Sequence, residues 1–329
     1  MLHTVELIPG GRRFEVQQGE SILQGGLRAG ANLRYNCSNG TCGECRAKVL
    51  QGSVNQIQYH DFCFSAAETA QGCILMCSNT ALGDLRLAAT ELGAVADIPE
   101  QQLTAKISKT EFPSDDHAIV HLRTPRSQTL QFLAGQEVHV RFAEELTCRL
   151  PLANCPCNGL RPQFHLRRVH GDPLSEQLFG ALRNGTACEM RGPTGDFVLR
   201  EETEKPLLFI AYETGFAPVY SLLEHVIALD WQAPLQLIWL ADDERGLYLK
   251  NYCRSLQDAL DDFTFSVAEL GDAQNFAPGL RESLERQTDL SRYDVYAVPP
   301  PEQVAATRTA LLGLGILAEH LKIAALETI

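Results

Sequence analysis

Cys37-Ser38-Asn39-Gly40-Thr41-Cys42-Gly43-Glu44-Cys45 places three cysteines within nine residues, and a fourth follows at a distance in Gly72-Cys73-Ile74-Leu75-Met76-Cys77. Three ligands this close converge only if the loop curls. Gly40 and Gly43 permit the curl, because a residue without Cβ tolerates positive φ and lets backbone N–H groups approach the sulfurs. The order Cys-x4-Cys-x2-Cys with one remote cysteine is the ligand spacing of a [2Fe–2S] cluster, held by Cys37, Cys42, Cys45 and Cys77. Zinc more often takes paired Cys-x2–4-Cys knuckles than this three-plus-one pattern. Cys73 competes with Cys77 for the fourth place.

Outward from that loop, 329 residues are long for one core and predict two or three domains. Hydrophobic residues at 45% and charged ones at 21% describe an ordinary globular chain. No stretch approaches the roughly 20 apolar residues of a membrane span. Met1-Leu2-His3-Thr4-Val5-Glu6-Leu7 reads as a strand and lacks the basic and apolar regions of a signal peptide, so a cytoplasmic location is expected. Eleven cysteines, an odd number, fit reduced thiols with four committed to iron. Cys148, Cys155 and Cys157 are too cramped for a metal site and read as structural.

The net charge of −13 is unevenly spread: residues 1–90 carry seven acidic and seven basic side chains, residues 201–329 carry 21 and nine. A polyanion would be repelled by the C-terminal third, and no basic stripe with interleaved aromatics occurs, which argues against nucleic acid as partner.

The first 90 residues read as short strands around the cysteine loop, with a hairpin turning at Pro9-Gly10-Gly11 and a short helix from Ser21 through Arg28. Leu92 to Gln102 reads as a linker. Leu103–Ser108, His117–Leu122, Glu137–Phe142 and Gln163–Val169 alternate as strands of a small barrel of about six. From residue 206 the grammar changes: the apolar strands Leu207–Ala211, Leu235–Leu240, Phe263–Val267 and Asp294–Val298 are each followed by a helical stretch. That alternation predicts a parallel sheet with helices on both faces and a ligand cleft at the carboxyl ends of its strands.

This order of modules resembles the ferredoxin–NAD(P)H reductase superfamily in its iron–sulfur-fused form, which includes reductase components of oxygenases and the reductase of CDP-6-deoxy-hexulose dehydration. The resemblance implies a multidomain α+β and α/β chain. Residues 1–91 would form a β-grasp-like, plant-type [2Fe–2S] ferredoxin domain, 102–202 a six-stranded antiparallel β-barrel of the FAD-binding type, and 205–329 a parallel-sheet α/β domain of the NAD-binding type. The apolar run ahead of Cys77 resembles the family's closing segment, which implies Cys77 rather than Cys73 as fourth ligand.

The same resemblance implies where FAD and NADH would bind. Arg149-Leu150-Pro151-Leu152 falls on the family's Arg-x-Tyr-Ser strand, where the Arg anchors the FAD pyrophosphate, the Tyr stacks on the flavin and the Ser approaches its N5. Only the Arg is kept. Gly171 and Ser175 stand in the Gly-x-x-x-Ser/Thr loop that opens a pyrophosphate-binding helix, and Gly192-Pro193-Thr194-Gly195 resembles the turn that closes the barrel. Ala211-Tyr212-Glu213-Thr214-Gly215-Phe216-Ala217-Pro218 occupies the place of Ala-Gly-Gly-Thr-Gly-x-x-Pro. Thr214 and Gly215 are retained, while Tyr212 and Glu213 put bulk and negative charge where a diphosphate needs room and donors. Val298-Pro299-Pro300-Pro301 replaces Cys-Gly-Pro-x, and Ile329 ends the chain where relatives place an aromatic over the flavin. Asp242 would repel a 2′-phosphate, so any dinucleotide used is expected to be NADH.

Two readings follow. In the first, NADH gives a hydride to FAD, and electrons pass singly through the cluster to a redox partner protein such as an oxygenase or dehydratase. In the second, the chain is an iron–sulfur electron-transfer or docking subunit on a reductase scaffold that no longer oxidises NAD(P)H. Neither requires catalytic acid–base residues, because the chemistry belongs to the cofactors. His165 and His170, near the flavin strand, read as structural.

Overall fold

The computed structural model describes residues 2–143, 146–284 and 289–325. The chain end with Ile329 lies outside them.

The first module is a five-stranded sheet with one helix across it. Its strands are β1 (Leu2–Ile8), β2 (Arg13–Gln17), β3 (Arg46–Gln51), β5 (Cys73–Leu75) and β7 (Leu85–Ala88), in the order β2-β1-β7-β3-β5. A side ribbon pairs β4 (Val54–Gln56) with β6 (Asn79–Ala81), and α2 (Ala66–Ala70) lies between β4 and β5 in sequence. Period-two alternation drives β1, whose Val5 and Leu7 are fully buried while their neighbours are not. Helix α1 (Ile22–Arg28) starts at a capping box in which Ser21 accepts from the Gln24 N–H and Gln24 reaches back to Ser21, and it buries Ile22 and Leu23 against the sheet.

The second module is a nearly closed antiparallel barrel in the order β11-β10-β13-β8-β9-β12. The strands are β8 (Gln101–Ser114), β9 (His117–Arg123), β10 (Glu137–Ala143), β11 (Leu146–Pro151), β12 (Gln163–Arg167) and β13 (Ala187–Thr194), with α3 (Pro173–Ala181) packed on them. Leu103, Ile107, Val120, Val138, Val140, Phe164 and Met190 fill its interior. The segment read as a linker is docked, since Leu92 and Ile98 are buried against Leu133.

The third module is a parallel sheet ordered β16-β15-β14-β17-β18, from β14 (Leu207–Tyr212), β15 (Leu235–Ala241), β16 (Phe263–Glu269), β17 (Asp294–Val298) and β18 (Leu321–Ile323). Helices α4 (Phe216–Ala228) and α5 (Lys250–Ala259) cover one face, and α6 (Phe276–Leu284) and α7 (Val304–Gly313) the other. Strand β14 runs between β15 and β17, so the topological switch opens a crevice beyond Tyr212 and Val298.

The first module is clamped to the other two. Arg12 pairs with Glu91 at 2.7 Å and with Glu201 at 2.5 Å, and Glu201 also accepts from Asn32 at 3.1 Å and lies 2.9 Å from His225 of α4. Next to the cysteine loop, Thr129 of the barrel donates its N–H to Asn36 Oδ1 at 2.9 Å and its hydroxyl to the Asn36 carbonyl at 2.5 Å.

Candidate cluster site and interdomain cleft

The pairing of β3 with β5 sets Arg46 opposite Leu75, which brings Cys45 and Cys77, just beyond that pair, side by side; the Met76 N–H donates to the Cys45 carbonyl at 3.0 Å. Cys37 and Cys42 form a second pair, the Cys42 N–H donating to Cys37 Sγ at 3.4 Å and the Glu44 N–H to Cys42 Sγ at 3.4 Å. The loop turns at Gly40 (φ +84°) and Gly43 (φ +77°), and a Cβ on Gly43 would lie 2.1 Å from the Phe62 ring. Both features demand glycine. Cys37, Cys45 and Cys77 are buried and Cys42 is half-buried. Cys73 stands on β5 opposite Lys48, off the turn that carries Cys77.

Burial opposes ionisation of Cys37, but the nearby Thr41 side chain and the N–H groups of Asn39 and Cys42 outweigh it and bring the thiol down to about 6. In the other pair the hydrogen bond from Cys45 brings Cys77 down to about 7 against burial, while Cys45, the donor, is pushed up. Each pair therefore holds one sulfur poised as thiolate, the form that ligates metal. Among the described residues no three His, Cys, Asp or Glu side chains converge as one metal ion requires. Two thiol pairs suit a two-iron cluster. The other cysteine group does not converge: Cys148 lies in the barrel core, and Cys155 accepts the Cys157 N–H at 3.3 Å to cap a single turn.

The remaining predicted residues lie between barrel and parallel sheet. Arg149 on β11 donates from Nε to Glu137 at 2.6 Å. Leu150 faces the barrel core, and Pro151 and Leu152 are buried. At α3 the Asp172 carboxylate accepts the Ser175 N–H at 2.7 Å and Pro173 has no N–H to give. The Ser175 hydroxyl, fully buried, accepts from Val169 at 2.8 Å, and Gly171 (φ +82°) is exposed. Thr214 and Gly215 form the turn from β14 into α4, where a Cβ on Gly215 would meet the Val298 carbonyl at 2.8 Å.

One feature was only half legible in the sequence. Glu213 reads in the sequence as bulk and charge, but the partners of its carboxylate come from three separate segments. It is 4% exposed, and its carboxylate accepts the Asp242 N–H at 3.0 Å, lies 3.5 Å from His117 Nε2 and 3.8 Å from Arg167 Nε. Burial alone would raise this carboxyl, yet His117, the Asp242 N–H and Arg167 hold it below the usual range. Beside it His117 stacks on Tyr248 at 4.8 Å, and the Tyr248 hydroxyl lies 2.9 Å from His165 Nδ1. Burial, with His121 and His117 nearby, lowers His165 to about 3, so its imidazole stays neutral. On the α/β side Phe216 stacks on Trp239 at 4.0 Å and Tyr248 packs edge-on against both.

Residues 5–81 match the family described as 2Fe-2S iron-sulfur cluster binding domain. The chain is 26% identical over 325 residues to the terephthalate 1,2-dioxygenase reductase component 1 of Comamonas sp, covering 97% of this chain and 96% of that one. It is 27% identical over 316 residues to the CDP-6-deoxy-L-threo-D-glycero-4-hexulose-3-dehydrase reductase of Yersinia pseudotuberculosis, covering 95% and 94%. The solved ferredoxin reductase in carbazole 1,9a-dioxygenase, 22% identical, superposes over 99% of both chains with a TM-score of 0.59, which shows the shared fold. Over nearly its whole length the chain is thus similar to named reductase components, in keeping with its resemblance to the ferredoxin–NAD(P)H reductase superfamily in its iron–sulfur-fused form.

Set against that superfamily, the two halves of this chain differ. The four thiols fit the [2Fe–2S] cluster that the domain match calls for. In the cleft, the residues as placed do not fit FAD or a nicotinamide dinucleotide: the α3 N-terminus is capped by a carboxylate, and the crevice beyond β14 holds Glu213.

Proposed function

We propose that this chain is an electron-transfer oxidoreductase of the reductase-component type, in which Cys37, Cys42, Cys45 and Cys77 hold a [2Fe–2S] cluster that serves a redox partner protein. The observation that carries this reading is the arrangement of three sulfurs on a loop that turns at Gly40 and Gly43 with a fourth, Cys77, brought beside Cys45 by the pairing of β3 with β5. The cluster, when bound, supplies one-electron chemistry. The protein's part is to keep two sulfurs ready as thiolates, to direct the Cys42 and Glu44 N–H groups at sulfur, and to shield three of the four ligands from water. Full-length similarity to reductase components supports NADH and FAD as the source of electrons; the cleft residues bear on that source separately. Eleven cysteines, all free, suit a reducing compartment, and we place the protein in the cytoplasm. No helix among the described residues is long and apolar enough to cross a membrane.

The test is anaerobic purification, iron and sulfide analysis, and dithionite titration followed by electron paramagnetic resonance. Two irons per chain and a signal growing in with one electron per chain are expected. Stoichiometric zinc, or iron without such a signal, would overturn the assignment.

A further inference from the structure

The backbone at Glu213 has φ +49°, a left-handed conformation that glycine adopts freely and other residues adopt at a cost. The turn thus follows the path of a glycine turn while carrying a residue that adopts it only at a cost. The Asp242 N–H donates to one carboxylate oxygen, while the other lies 3.5 Å from the His117 imidazole and 3.8 Å from the Arg167 guanidinium, the kinds of group that an enclosed phosphate would recruit. Gly246 lies so close that a Cβ there would fall 2.5 Å from either carboxylate oxygen, so only glycine fits on that side of the group.

We infer that Glu213 is the chain's own occupant of the anion position at the switch point of the parallel sheet, and that with the Tyr248–His117–His165 cluster it fills the reductase cleft from within. This inference rests on the electron-transfer reading above and deepens it. Since the cleft is filled, the cluster takes its electron at the cysteine loop from a reduced one-electron carrier protein, and passes the same single electron on to an acceptor protein. No hydride and no proton are exchanged.

The other sites agree. On the barrel, Arg149 is joined to Glu137, and at the α3 N-terminus the Ser175 N–H is taken by Asp172 while Pro173 has none. On the opposite wall, Ser221 of α4 donates to the Asn154 carbonyl at 2.7 Å and accepts the Gly135 N–H at 3.3 Å, which ties α4 to the barrel. Two elements that would flank a bound flavin are thus bonded directly to each other.

The cluster-loaded protein is titrated with FAD, followed by flavin fluorescence, and with NADH, followed by cluster absorption and thermal shift, then with dithionite. Unquenched flavin fluorescence, a cluster left oxidised by excess NADH and full reduction by dithionite are expected. Flavin bound one per chain, or cluster bleaching by NADH, overturns the inference. Glu213→Gly suits the local backbone and opens the crevice, so it is expected to gain a thermal shift with NADH that the parent lacks. Equal shifts in both proteins, or none in either, would remove Glu213 from the role. Failure of dithionite to reduce any cluster would sink the electron-transfer reading instead, and the FAD and NADH binding measurements would still decide the cleft.

Discussion

At the residue scale, Cys77 and Cys73 are separated by four positions, and the fold separates them by function. Cys77 follows Met76, whose N–H donates to the Cys45 carbonyl, whereas Cys73 stands in a strand opposite Lys48. Cys77→Ser is expected to lose most of the cluster absorbance per chain, and Cys73→Ser to keep at least nine-tenths of it in the order-of-magnitude sense that a ligand differs from a bystander; equal loss in both would reassign the ligand. The four candidate cysteines stand out in the sequence because they lie within short segments whose spacing is itself chemical information. Glu213 was not legible in the same way. Its charge and misfit could be read, but its hold on the turn depends on His117, Arg167 and Asp242, which only the folded barrel and sheet bring to one point.

The strands with strong alternation or unbroken apolar runs were legible as elements, and Asp294–Val298 agrees to the residue. β8 runs six residues beyond its expected end at Ser108, because its pairing with β9 continues past a bulge between Ile107 and Lys109. The fifth parallel strand, Leu321–Ile323, is only three residues long and is made by pairing with β17, too short for a pattern to register. The turn between β14 and α4 carries a pH dependence. Folding lowers the Glu213 carboxyl below 4.5, so its contribution to stability is complete above that value and is lost as pH falls through the lower folded value. The stability difference between the parent and Glu213→Gln, read from urea midpoints, is expected to be larger at pH 7 than at pH 3.5. A difference that grows on acidification would contradict the depressed carboxyl.

Across the whole molecule, Glu201 joins the first module to the third by holding Arg12, Asn32 and His225 together. Its removal leaves a guanidinium and an imidazole facing each other with partial solvent exposure. Glu201→Ala is therefore expected to cost about 2 kcal/mol, less than a fully buried pair would. Calorimetry should show the ferredoxin-like module melting ahead of the rest, and a single unshifted transition would show that other contacts govern the docking. The order of modules was plain from the sequence, because each has its own periodicity. Their mutual docking was not, since Arg12, Asn32 and Glu201 are ordinary surface residue types until the fold makes them neighbours.

Asn36 is bonded twice to Thr129, one residue before the first cluster ligand. That clamp makes the iron-bearing module a fixed fitting rather than a swinging arm. Its outward side, where Asn39 and Thr41 are exposed, is a single doorstep that visitors must share. A donor and an acceptor that both come to it must take turns, so each should compete with the other, and the protein would work as a relay post with one counter instead of a wire with two ends.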